Sequence, residues 1–166
     1  MQYFKEFCDF VEKHHLEKPI GCSEDDISEL EGSLGCELPD SYKEYLRLMG
    51  RDYSGVMVGT NCFVSDVLQN NECLPELLNE NQLSGYIPQK KYVAFFCHQG
   101  YMMSWFTIPC EESDPQCTYY FEGTTEIPEV YGTFSEFMKK DVLGNAKLRV
   151  ANEKHEKKRQ KWWCPW

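Results

Sequence analysis

Apolar residues recur at helical spacing from the start of the chain. Phe4, Phe7, Cys8 and Val11 form one stripe of the segment 3–16 and leave Glu6, Asp9, Glu12 and Lys13 to solvent, the pattern of an amphipathic helix laid against a core. Pro19 and Gly21 end it. Ser23 then stands as a cap with Asp26 three residues on, and Glu24 and Asp25 sit at the positive end of the dipole, so a second helix starts here with Ile27, Leu30 and Leu34 inward. Gly35 supplies the left-handed residue that commonly closes a helix. Pro39 opens a third helix, because its fixed φ suits the first turn and its missing N–H would be unpaired there anyway. Tyr42, Tyr45, Leu46 and Met49 share the inner face of that helix, and Gly50 terminates it.

The period changes further on. Residues 52–63, with Gly55 and Gly59 around Val56 and Val58, read as a loop feeding a short strand, and 65–71 and 75–82 as two helical pieces parted near Pro75. Residues 92–97 are apolar on both alternating faces, which marks a central strand; His98, Gln99 and Gly100 return the chain through 101–108 as a hairpin. A polar loop leads to a third strand around 118–121. Thr133-Phe134-Ser135-Glu136 is a capping box that begins a last helix, expected to reach about Asp141. At 166 residues the chain suits one domain, here 1–143, followed by a basic C-terminal tail over 144–166.

Charge sharpens this division. Residues 1–146 hold 10 basic and 25 acidic side chains, a net of −15, whereas 147–166 hold 7 basic and 2 acidic, a net of +5. An acidic domain repels nucleic acid and speeds encounters with basic proteins. The tail carries Lys147, Arg149, Lys154, Lys157, Lys158, Arg159 and Lys161 ahead of Trp162 and Trp163, a set able to stack on bases or sit at a lipid interface. The domain's own negative charge favours the tail lying back against it.

Candidate chemistry is sparse. No Gly-x-Ser-x-Gly elbow, phosphate-binding glycine loop or dinucleotide fingerprint occurs. The nine cysteines form no Cys-x2-Cys pair and the four histidines no His-x3-His, so neither a metal nor a cofactor is expected. Cys97 and His98 are adjacent, but neighbours in a strand point to opposite faces, which parts a thiolate from its base. An enzymatic reading would need a hydrolytic activity that a single change at Cys97, His98 or Glu31 abolishes. The odd cysteine count, the absence of a basic-then-apolar leader at the N-terminus and the lack of a run of ~20 apolar residues point to reduced thiols, no membrane span and a cytoplasmic location.

The run from Ser23 through Glu31, then Leu34-Gly35, then Leu38-Pro39-Asp40-Ser41-Tyr42-Lys43-Glu44-Tyr45-Leu46 and Gly50, resembles the SUKH superfamily, which includes the yeast Smi/Knr cell-wall regulators and many bacterial immunity proteins. The later pieces fall in the family's order, ending in Thr133-Phe134-Ser135-Glu136-Phe137. The resemblance covers roughly 1–143. It implies an α+β fold, a mostly antiparallel central sheet packed by helices largely on one side. Leu30, Glu31, Leu34, Gly35, Leu38, Pro39, Tyr42, Leu46 and Gly50 are its signature, which specifies a scaffold and not an activity.

What the resemblance implies for function is binding without catalysis: an immunity protein that neutralises a cognate toxin domain, with the acidity suiting a basic, nuclease-type target. The alternative is a scaffold or regulatory module of the Smi/Knr type. The partner surface is expected at Glu111, Glu112 and Asp114, with Glu122, Glu126 and Glu129 on the next loop, and the protein as a monomer or a homodimer paired through a strand edge.

Overall fold

The computed structural model describes residues 1–53 and 56–163, with side chains through Asn152 and that of His155. The elements run α1 (Lys5–Lys13), α2 (Glu24–Leu34), α3 (Asp40–Met49), β1 (Thr60–Asn61), α4 (Val67–Glu80), β2 (Tyr92–His98), β3 (Met102–Thr107), β4 (Gln116–Phe121), β5 (Glu129–Thr133) and α5 (Phe134–Trp163). Each strand pairs antiparallel with the next, giving the sheet order β1-β2-β3-β4-β5. The class is α+β, as expected. Residues of α1, α2, α3 and α5 share the larger core with one face of the sheet, and α4 alone builds a smaller core on the other.

Strand β2 is buried on both faces because both layers need it. Val93 and Phe95 enter the larger core while Ala94 and Cys97 face α4, and a bulge between Ala94 and Phe96 turns Phe96 to join Phe95. At the centre of the larger core is Phe134, the first residue of α5. Its ring meets Phe4, Tyr42, Tyr45, Phe95 and Phe106 at centroid distances of 4.9–6.4 Å, each edge-on. Thr133 and Glu136 close the capping box around it: the Thr133 N–H donates to Glu136 Oε2 at 3.0 Å and the Glu136 N–H to Thr133 Oγ1 at 3.4 Å.

The signature residues between α2 and α3 have visible duties. Ser23 and Asp26 cap α2 reciprocally, and Gly35 closes it at φ +67°. The Glu31 carboxylate accepts the Leu38 N–H at 2.8 Å, fixing the turn into α3. Leu30, Leu38, Tyr42 and Leu46 are buried, and Leu34 is partly so. Gly50 ends α3 for a different reason from Gly35: its φ is −70°, but a Cβ there would lie 2.6 Å from Cys22 Sγ and from the Leu46 carbonyl oxygen.

Three sequence expectations are corrected. Residues 67–80 form one helix and not two pieces, with Pro75 inside it. Pro75 has no N–H for the carbonyl of Asn71, four residues back, and the Tyr92 hydroxyl donates to that oxygen instead at 2.7 Å. Strand β5 was not anticipated, because it is a short edge with exposed Glu129 and Val130. The last helix does not stop near Asp141: α5 continues to Trp163 and buries Ala146 completely. Where the tail was expected to lie on the acidic surface, Ala151, Asn152 and His155 are exposed. The Trp162 and Trp163 side chains and residues 164–166 lie outside the described residues.

Candidate functional site

The two acidic loops expected to form one surface lie at opposite ends of the sheet. Glu111, Glu112 and Asp114 belong to the β3–β4 connection, Glu122 and Glu126 to the β4–β5 connection, and Glu129 opens β5. The six residues of β4 separate the loops by about 17 Å. Asp114 is already committed to the fold, since its two carboxylate oxygens accept the Ser135 N–H at 3.0 Å and the Ser135 hydroxyl at 2.7 Å. The other five are exposed, and among the described residues none of them enters a salt bridge.

The cations of α3 and of the turn after it are, by contrast, spent internally. Arg47 grips Glu24 through Nε and Nη2 at 2.6 and 2.8 Å, Arg51 grips Asp26 likewise at 3.0 and 2.6 Å, and Lys43 reaches Glu37 at 2.7 Å. The Arg51 bonds, with those from Ser23, hold the Asp26 carboxyl at about 2. These pairs neutralise Glu24 and Asp26 of α2, while Asp25 and Glu29 of the same helix stay exposed, as the five glutamates of the sheet loops do.

The end of the sheet that carries Glu122 also carries a groove that the sequence did not disclose. Thr60, His98, Met102 and Phe121 stand in one register row across β1 to β4, so the turn after His98 and the loop after Phe121 are neighbours. Tyr101 in that turn lies edge-on to His98 at 5.7 Å and stacks on Phe121 at 5.6 Å. Over the row runs α5. Asp141, Asn145, Leu148, Arg149 and Asn152 are spaced by four, seven, eight and eleven residues from the first, which places them on one helix face. The cleft between them and the row holds about 610 Å³ and is floored by Phe96 and Met102.

Inside the groove the Thr60 hydroxyl and His98 Nδ1 are 2.8 Å apart, tying β1 to the end of β2. Asp141 is half-buried and makes no side-chain hydrogen bond or ion pair with the described residues. Burial pushes its carboxyl above the ordinary range, with His98 and Lys140 acting in the opposite direction. Cys97 points away from this cleft into the α4 core, as the strand alternation required, and burial raises its thiol above the usual value. A thiol so held is a poor nucleophile. The groove residues were missed because reading α5 as ending at Asp141 hid the face on which Asn145 and Asn152 continue.

Among the described residues no cluster of three or more His, Cys, Asp or Glu is placed to hold a metal, and no helix is long and apolar enough to cross a membrane. The arrangement offers recognition: an exposed carboxylate surface beside a cleft of mixed polarity on a rigid sheet end. No curated protein matches the chain. A family model does match it over residues 21–140, from the loop before α2 into the first turns of α5. That span takes in the capped α2–α3 unit, the whole sheet and the Phe134 hub, and it places the chain in the SMI1 / KNR4 family (SUKH-1).

Proposed function

We propose that this protein is an immunity protein, which neutralises a cognate toxin domain by binding it and performs no bond-making of its own. The observation that carries the reading is the distribution of charge. Lys43, Arg47 and Arg51 are locked onto carboxylates of the α2–α3 layer, while Glu111, Glu112, Glu122, Glu126 and Glu129 stand exposed and unpaired at the sheet ends among the described residues. Exposed negative charge of this kind serves a basic partner, such as the substrate groove of a nuclease-type toxin, by steering its approach. Family membership supports binding over catalysis, since the family includes immunity proteins.

The β4–β5 side is the favoured contact surface, because Glu122, Glu126 and Glu129 flank exposed Ile127 and Val130 and so combine steering charge with apolar area to bury. The test is association kinetics with the toxin domain encoded beside the gene. Changing Glu122, Glu126 and Glu129 to Lys should slow association about ten-fold and flatten its salt dependence. Unchanged kinetics would remove this surface from the interface, and failure of the protein to rescue cells from that toxin would remove the immunity role.

A further inference from the structure

The groove under α5 holds a feature that steering alone does not use. Asp141 is a half-buried carboxylate that makes no hydrogen bond or ion pair with the described residues, and the cation beside it in sequence is occupied elsewhere, Lys140 Nζ lying 5.1 Å from the Tyr131 ring centroid. The imidazole across the cleft has its Nδ1 taken by Thr60. Two apolar side chains that line the same cleft, Val58 and Leu148, are 74% and 62% exposed. The Asp141 oxygens reach water and feel the fields of His98 and Lys140, yet no donor among the described residues contacts them; a segment with a cation and an apolar flank would supply that donor and cover the exposed apolar surface beside it. Arg149, the cation that lines the cleft, lies eight residues along α5 from Asp141, about 12 Å, and has contacts of its own. The carboxylate that lines the cleft, Asp141, therefore stands beside His98 at the end away from Arg149.

We infer that this end of the groove receives an arginine or lysine side chain from the bound partner, its charge on Asp141 and an adjacent apolar residue between Val58 and Leu148. The inference rests on the reading that the protein acts by binding a basic partner, and it names where one anchor of that partner sits. A cleft of about 610 Å³ accommodates such an anchor with its neighbour. A desolvated anchor of this kind slows dissociation, whereas the exposed glutamates act on approach.

The experiment titrates the full chain, isotope-labelled for NMR, with two peptides, acetyl-Leu-Arg-Leu-amide and its neutral counterpart acetyl-Leu-citrulline-Leu-amide. Expected are shifts at Thr60, His98 and Asn145 and at least about five-fold tighter binding of the arginine peptide. That margin should disappear in Asp141→Asn, an isosteric change whose fold the same spectra verify. Leu148→Ser, on an exposed position, should weaken both peptides equally. Equal binding of the two peptides by the unaltered protein, a margin that survives Asp141→Asn, or shifts confined to another surface would overturn the assignment. Free arginine methyl ester binding as tightly as the peptide would overturn it too, by making the cleft a small-cation site. A toxin complex that forms equally well with Asp141→Asn would sink the groove and leave the immunity reading standing; peptide results as expected, with no toxin bound by the unaltered chain, would do the reverse.

Discussion

Replacing Tyr92 by Phe removes a single hydroxyl, and its cost depends on a proline seventeen residues earlier. That hydroxyl donates to the Asn71 carbonyl at 2.7 Å, the acceptor that the missing N–H of Pro75 leaves unserved inside α4. A hydrogen bond of this kind contributes about 1 kcal/mol net, and stranding a partly buried carbonyl moves the loss toward the upper part of the 0.5–3 kcal/mol range. In a Pro75→Ala background the helix regains an N–H at the right place, so the same Tyr92→Phe change should cost no more than about 0.3 kcal/mol. Pro75→Ala shifts the baseline through helix propensity and unfolded-chain entropy, but both effects cancel in the double-mutant cycle. The assay is urea unfolding followed by far-ultraviolet circular dichroism. With a slope of about 1–3 kcal/mol per molar urea, a 1 kcal/mol loss moves the midpoint by roughly 0.3–1 M, which is readily resolved. Equal costs of Tyr92→Phe in the two backgrounds would refute the idea that a strand hydroxyl stands in for the helix's lost donor.

Two further outcomes follow from the same kind of accounting. Tyr42 and Tyr45 stack at 6.0 Å and are both fully buried, yet Tyr45 donates to the Cys62 carbonyl at 2.9 Å while the Tyr42 hydroxyl has no partner among the described residues. In thermal unfolding Tyr45→Phe should therefore lower stability by about 1 kcal/mol, and Tyr42→Phe should leave it unchanged or raise it by up to about 1 kcal/mol. The Glu44 carboxylate accepts the N–H groups of Gln2, Tyr3 and Phe4 at 2.7–2.9 Å, and although partial burial acts upward, these bonds together hold its carboxyl below the usual range. A folded-state value below the unfolded one means a contribution that is complete above the ordinary carboxylate pKa, about 4.3, and is lost as pH falls through the lower folded value. Protection factors of the amides of residues 2–4, taken against the intrinsic exchange rate at each pH, should fall over that acid window in the native protein, and Glu44→Gln should flatten the dependence.

The helical first third was legible because its signals are local. Caps, glycines and apolar stripes at residues 4–50 each act within a turn or two, and Phe4, Phe7, Ile27, Leu30, Tyr42, Tyr45, Leu46 and Met49 are all buried as their spacing required. The hairpin of β2 and β3 was legible for the same reason. What escaped was settled at long range. Pro75 breaks a helix only if its orphaned carbonyl stays unserved, and the residue that serves it lies on another element. Strand β5 has no apolar alternation to betray it, since as an edge it needs only its pairing with β4. The groove was hidden twice over: α5 was cut short at Asp141, and the meeting of Thr60 with His98 is a matter of strand register, which no single segment states. The acidic loops were found as residues but not as places, because β4 holds them apart.

The position of Phe134 bears on how the molecule is made. The strands pair with their neighbours in sequence and can zip together as they emerge from the ribosome, but five aromatic rings from the residue before α1 and from α3, β2 and β3 close only on a side chain that follows all of them in the chain. A chain interrupted before that residue leaves the aromatic core open on one side, the kind of exposed apolar surface on which chaperones and proteases act.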